Sequence, residues 1–214
     1  MKEGEIRVVT PPNVGWLEKK LNRDEIGHIW KCIEQRETET FKGNLAGNIH
    51  ESNLLEDIED LFWHNTLLPL VQIYGEAFSN LGDKIPVNHK HAFQLHSWWV
   101  NYQKQNEFNP IHCHTGVYSF AIWMKIPTTF EQQNKNPISK NANSQVISAF
   151  EFAYTNILGE ISLHQYKLSD EHEGMLVMFP SKLNHQVYPF FDCAEDRISV
   201  SGNIGLDTST IINN

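Results

Sequence analysis

The feature that most constrains this chain is a change of texture at Pro86. Beyond it, runs rich in aromatic and β-branched residues follow one another: "AFQLHSWWVNYQKQ", "GVYSFAIWMKIP", "QVISAFEFAYT", "GMLVMFP" and "DRISVSGNIGL". Gly, Pro and Asn separate them. Such side chains suit a pleated, half-buried surface, and regular punctuation by turn residues is the pattern of an all-β sandwich or barrel. Before Pro86 the periodicity is helical. The expectation is a mainly β protein in which residues 1–85 are a helical support region of the same domain and residues 86–214 are the β core.

Within the support region, residues 1–17 read as an irregular or extended lead-in. "NRDEIGHIWKCIEQRE" predicts a short helix, with Asn22 as its cap and Ile26, Ile29, Trp30 and Ile33 at helical spacing. The segment 53–81 also predicts helix, since Ile58, Leu61, Phe62, Val71, Tyr74 and Phe78 recur at three- or four-residue steps. Pro69 is expected to kink or divide it and Gly82 to stop it. The polar stretch "TTFEQQNKNPISKNANSQ" has little to bury. It predicts a flexible loop at about 128–145, long enough to act as a lid and to touch substrate.

At 214 residues the chain can bury a real core. A net charge of −9 argues against a general nucleic-acid or anionic-membrane binder, which needs a basic face. No apolar run approaches the roughly 20 residues that span a bilayer, and "MKEGEIRVVTPPNVGW" has no signal-peptide core. Cys32, Cys113 and Cys193 are an odd, scattered set, so no disulfide framework is expected and the default is a reduced cytoplasmic protein. Oligomeric state is left open.

Of the eleven histidines, His28, His50 and His64 read as surface or core-edge residues without a neighbouring ligand. His164 and His172 stand alone, and His96 reads as a packed strand residue. Two pairs share one spacing: His89-Lys-His91 and His112-Cys-His114. Residues two apart on a strand project from the same face, so either pair could present both imidazoles to one ion. The second pair has a downstream companion. In "GMLVMFPSKLNHQVYPF" a glycine opens a hydrophobic strand, Phe179-Pro180 ends it, and His185 begins the next. Arg197 follows twelve residues later, with Ser199 on the same strand face. One reading of Arg197 is an edge-strand surface residue paired with Glu195 or Asp196. The other is a barrel-interior arginine, which needs an anion; its planar fork suits a carboxylate, and Ser199 adds a donor.

Taken together, these residues resemble the Fe(II)/2-oxoglutarate-dependent oxygenase superfamily, and more closely a group of small bacterial and phage members. The resemblance rests on Trp99-Val-Asn101, Asn109-Pro-Ile-His112-Cys-His114, Gly116-Val-Tyr118, Phe179-Pro-Ser181 with His185-Gln-Val-Tyr-Pro189, and Arg197-Ile-Ser-Val-Ser-Gly-Asn203-Ile204. Gly174, Pro180 and His185 have the spacing of the second metal motif of a double-stranded β-helix. The resemblance implies that fold, a jelly-roll or cupin-like barrel, in a bacterial or phage-infected host cell. It implies His112 and His185 as iron ligands and Arg197, with Ser199, as the site for the far carboxylate of 2-oxoglutarate.

The superfamily's usual first motif is H-x-D/E, and here His114 stands where the carboxylate would be. Cupins share H-x-H but continue to a glutamate four residues on, where this chain has Tyr118. The expected metal set is therefore His112, His114 and His185. Glu151 is a second-choice carboxylate whose plainer reading is a solvent-facing strand residue. By two-residue alternation from 112 and 114, Tyr118 and Phe120 are expected to face inward, with Tyr118 as a catalytic or pocket residue, while Cys113 faces away. Asn101 is a further cosubstrate candidate. Trp98, Trp99 and Trp123 read as core. The implied activity is hydroxylation of a C–H bond of a small-molecule or peptide substrate, using Fe(II), 2-oxoglutarate and O2 and releasing succinate and CO2. Two alternatives are a cupin-type three-histidine dioxygenase that does not use 2-oxoglutarate and a non-catalytic barrel binding module.

Overall fold

Ten strands account for the β-type runs of the sequence. The computed structural model describes residues 6–7, 13–36, 38 and 40–210; of the expected lead-in, residues 1–5 and 8–12 lie outside the described residues. In chain order the elements are β1 (Leu17–Lys20), α1 (Arg23–Glu34), β2 (Glu51–Leu54), α2 (Leu68–Ala77), β3 (Phe93–Gln103), β4 (Asn109–His112), β5 (Tyr118–Lys125), α3 (Phe130–Gln133), β6 (Phe150–Thr155), β7 (Ile161–Tyr166), β8 (Met175–Pro180), β9 (Asn184–Val187) and β10 (Arg197–Leu206). The strands form two antiparallel sheets, one in the order β1-β8-β5-β10-β3-β2 and one in the order β4-β9-β6-β7. This is the jelly-roll arrangement expected from the sequence.

Both faces of the large sheet are covered, which is why β5 reads as a continuous apolar run. On one face Trp98, Val100, Phe120, Ile122, Leu176 and Met178 share a core with Ile29, Cys32 and Ile33 of α1 and Leu70, Val71 and Tyr74 of α2. On the other, Ala121, Trp123, Val177 and Phe179 meet Phe150, Phe152 and Tyr166 of the small sheet. The helical part of the chain therefore backs the sheet that carries the site's arginine strand.

α1 forms where expected, because Asn22 accepts from the backbone N–H groups of Asp24 and Glu25 while Glu25 reaches back to Asn22 N–H. The segment 53–81 departs from expectation. Its first residues complete edge strand β2, where Ser52 pairs with Asn101, and a 3-10 turn at Ile58–Asp60 follows. A π turn at Trp63–Leu67 then runs into α2. Pro69, at the start of α2, has no N–H for a regular backbone bond, and the widened turn precedes it directly. The helix ends at Ala77, before Gly82, which lies in a 3-10 turn.

The stretch 128–145 also differs from its expected form. Thr129 caps α3 through a capping box, Phe130 and Gln133 are buried, and Gln133 bonds to the backbone of Phe191. A polar sequence here satisfies backbone groups of the loop around Phe191 rather than remaining without structure of its own. No helix among the described residues is long and apolar enough to cross a membrane.

Candidate metal centre and cosubstrate pocket

β4 and β9 pair so that His112 lies opposite His185. His114 is two residues beyond, past the end of β4, where its N–H donates to the Ser181 carbonyl at 2.8 Å. The donor atoms of the three imidazoles lie within 4.8 Å of one another. His112 Nδ1 stands 2.7 Å from the Pro110 carbonyl and His185 Nδ1 3.0 Å from the Leu183 carbonyl. A carbonyl only accepts, so both Nδ1 atoms carry hydrogen, and in the neutral rings Nε2 keeps its lone pair. His185 Nε2 is 3.0 Å from His114 Nε2.

Phe150 and Phe179 pack on the His185 ring, which is 4% exposed. Burial, followed by the neighbouring histidines, pushes His185 down to about 3; burial, followed by His112, pushes His114 down to about 4. His112 is lowered too, first by burial. At neutral pH the unliganded site is therefore a set of uncharged nitrogen donors.

These histidines border a cavity of about 500 Å³ whose lining also includes Asn101, Arg197, Ser199 and Trp99. Arg197 opens β10 and is 2% exposed. Its NH1 group donates to Gln103 Oε1 at 3.4 Å, and its NH2 group donates to the Ser148 carbonyl at 3.2 Å and to the Ser148 hydroxyl. The Phe190 ring lies 4.9 Å from the guanidinium. Among the described residues no carboxylate pairs with it, and its Nε–H is buried without a partner. Desolvation lowers its pKa to about 10, which still leaves the cation intact. The surface-arginine reading, with Glu195 or Asp196 as partner, does not hold: Arg197 is 2% exposed, Glu195 pairs with Lys125 at 2.7 Å, and no ion pair joins Asp196 to Arg197 among the described residues.

Other site residues fall in three groups. Asn101 and Ser199 face each other across β3 and β10 and both line the cavity; Asn101 Oδ1 accepts from Ser52 Oγ at 2.9 Å. Trp99, read from sequence as core, also borders the cavity, between Phe41 at 4.1 Å and His114 at 6.0 Å. Trp123 borders it as well.

Tyr118 is placed elsewhere. It lies among Tyr74, Phe93 and the helical layer, and its hydroxyl accepts from Leu81 N–H at 3.2 Å. Phe120 packs against Phe62 and, unlike Tyr118, also borders the cavity, as expected from the sequence. The alternation that was to bring Tyr118 inward is broken between 114 and 118, where the chain bends through Gly116 at φ 100°. That left-handed backbone suits glycine, and the turn resets which parity faces the site. Ser119 and Ala121 take the inward face instead: Ala121 meets the second sheet, and Ser119 bonds Ser181 and Asn203.

Glu151, the second-choice carboxylate, is 2% exposed rather than solvent-facing, and it is absent from the cavity lining. Gln186 donates to it at 2.7 Å, on the face of β6 opposite Phe150 and Phe152. Among the described residues no Asp or Glu lines the cavity. Residues 128–145 do not reach it either; its lining includes Phe41, Asn44, Leu45, Ala46 and Ile49. This segment is tied down by bridges Thr40–Asn53 and Asn48–Phe108. Gly47 is required there, because a Cβ would come within 2.2 Å of the Phe108 carbonyl oxygen. Ser148, whose φ of 65° turns it toward Arg197, and Gln103 carry no sequence signal that marks them as arginine supports. His89 and His91 are not brought to a third ligand, and His91 bonds the Thr210 carbonyl. His28 does have neighbours: Cys32 and Asp57.

A family model described as "Putative 2OG-Fe(II) oxygenase" matches residues 97–203, half of the chain, and the chain belongs to that family. Among solved structures, a 2OG-Fe(II) oxygenase family oxidoreductase from Burkholderia pseudomallei is 10% identical, with a TM-score of 0.51 over 89% of this chain and 84% of that one. A Pseudomonas putida prolyl-4-hydroxylase is 12% identical, with a TM-score of 0.47 over 88% of this chain and 91% of that one. The viral collagen prolyl hydroxylase of Paramecium Bursaria Chlorella virus-1, solved with 2OG, is 12% identical, with a TM-score of 0.49 over 88% and 94%. A comparison with curated proteins finds no match.

The family works with Fe(II), 2-oxoglutarate and O2, and the residues present fit these groups. Three imidazoles with converging lone pairs suit a borderline ion such as Fe(II). Nε2 atoms 3.0 Å apart match adjacent donors each about 2 Å from one metal. A buried arginine with an unpartnered Nε–H, in the same cavity, fits an incoming carboxylate.

Proposed function

We propose that the protein is an Fe(II)- and 2-oxoglutarate-dependent dioxygenase that hydroxylates a C–H bond of a small-molecule or peptide substrate, releasing succinate and CO2. The observation that carries this reading is one cavity bordered by the His112, His114 and His185 cluster and by the buried, carboxylate-free Arg197. His112, His114 and His185 would hold the iron, which when bound supplies the oxidising chemistry with O2 and the 2-oxo acid.

The chain's own residues bind and position. The Pro110 and Leu183 carbonyls fix the ring orientation of His112 and His185, so the lone pairs are aimed before any ligand arrives. Arg197 pairs with the far carboxylate of 2-oxoglutarate, with its fork held by Ser148 and Gln103, and Ser199 offers a hydroxyl on the same strand face. Asn101 orients a polar group of the cosubstrate or substrate. Trp99, Phe150 and Phe179 keep water from the reacting end. A three-histidine dioxygenase without 2-oxoglutarate would share the metal donors, but the anion-ready Arg197 favours the 2-oxo acid.

The test is anaerobic addition of 2-oxoglutarate to the Fe(II)-loaded protein, followed by O2. Metal-to-ligand charge-transfer absorbance and then succinate formation are expected. Iron binding with neither signal would overturn the 2-oxoglutarate reading.

A further inference from the structure

A second ligand cluster lies in the helical layer. His28 and Cys32 are four residues apart on α1, so they stack on one face one turn apart. Asp57, in the connection after β2, faces them, and the donor atoms of all three lie within 4.8 Å of one another. His28 Nε2 stands 2.9 Å from Asp57 Oδ1 and 3.5 Å from Cys32 Sγ.

One ring nitrogen thus serves two neighbours. If it carries hydrogen, Asp57 takes that hydrogen and the sulfur is left a distant second acceptor. If it carries a lone pair, that lone pair meets the carboxylate's. Asp57 cannot turn away, because Phe62 N–H donates to its Oδ1 at 3.0 Å and Trp63 N–H to its Oδ2 at 2.7 Å. Oδ2, which accepts only from Trp63 N–H, retains a free lone pair, while Oδ1 meets both Phe62 N–H and His28 and regains one once a cation takes the His28 nitrogen. Cys32 is buried, and His28 and Asp57 are partly so.

We infer that His28, Cys32 and Asp57 form a second metal site, distinct from the histidine cluster, that takes a zinc-type divalent cation. A thiolate, an imidazole and a carboxylate are zinc's donor set, and the two separations from His28 are within about half an ångström of tetrahedral neighbours about 2.0–2.3 Å from one ion. The sulfur separates the two sites chemically, since thiolate selects zinc where an all-imidazole cluster admits iron. Binding releases the Cys32 thiol proton to solvent and leaves the fourth position for water. The cation would join α1 to the start of the helix running into α2, tying together the layer that backs the large sheet.

The test uses the full chain carrying His185→Ala, so that the first cluster is disabled. That protein should bind one equivalent of zinc by elemental analysis, and Co(II) in its place should give thiolate-to-metal charge-transfer absorbance. Adding Cys32→Ser should abolish the absorbance and weaken zinc binding more than about 100-fold, beyond what loss of a merely orienting partner costs. Asp57→Asn should weaken binding while keeping the absorbance. If Cys32→Ser does not fold, Cys32→Ala serves the same purpose, with circular dichroism as the control. A folded His185→Ala protein that binds no zinc, or absorbance that survives loss of Cys32, would overturn the inference.

Discussion

The chain carries one two-histidine spacing twice, and the two copies sit in different surroundings. His89-Lys-His91 lies in a bend before β3, with His89 exposed and His91 bonded to the Thr210 carbonyl. His112-Cys-His114 lies at the end of a strand whose partner, β9, brings His185 opposite His112. Burial holds the second set uncharged, and backbone carbonyls fix two of its rings. Sequence spacing offers two donors; only strand pairing supplies a third donor and the desolvation that makes all three available to a metal.

Five expectations test that contrast, in decreasing size. His185→Ala should abolish stoichiometric Fe(II) binding, read by elemental analysis after anaerobic loading. If iron stays there and is lost instead on replacing His89 or His91, the roles of the two pairs are reversed. Arg197→Ala should weaken 2-oxoglutarate binding by about 2–5 kcal/mol, since an anion is left facing an unpaired cavity. Arg197→Lys should recover only part of this, because the planar fork is lost; equal affinities in calorimetry for wild type and both variants would remove the cosubstrate pocket from the picture.

His114→Ala should lower Fe(II) affinity by more than the roughly 10–100-fold typical of a residue that only orients a ligand. A smaller effect in a competitive chelator titration would reduce His114 to a neighbour of a two-histidine site. Gly47→Ala should cost about 1–3 kcal/mol of stability, because its Cβ meets backbone that cannot rotate aside. The check is a denaturant midpoint; an unchanged one would mean that the cavity-lining segment around Gly47 yields freely. Replacing His89 with Ala should move stability by no more than about 0.5 kcal/mol and leave iron binding intact.

Much of the β architecture was legible, because hydrophobic runs and turn residues report local packing. The capping box of α1 was legible for the same reason: Asn22 and Glu25 act within one turn. What failed depended on partners far along the chain. Residues 51–54 became strand because β3 had a free edge; the one local failure was Tyr118, which left the site because Gly116, two residues before it, reset the alternation. Phe41 and Gln103 reached the cavity, and Ser148 reached Arg197, through contacts that no local pattern encodes.

By itself, the sequence determined a mainly β chain with histidine and arginine candidates at spacings that strands and turns can present to one site. Those spacings are covalent, and the period of a strand converts them directly into which face a side chain takes. Only the tertiary structure decided that His114 rather than Glu151 joins the histidine pair, that the cavity is lined from residues 41–49 rather than 128–145, and that His28 meets Asp57. Each of these turns on which surfaces a packed interior removes from water, a choice made by the whole chain at once.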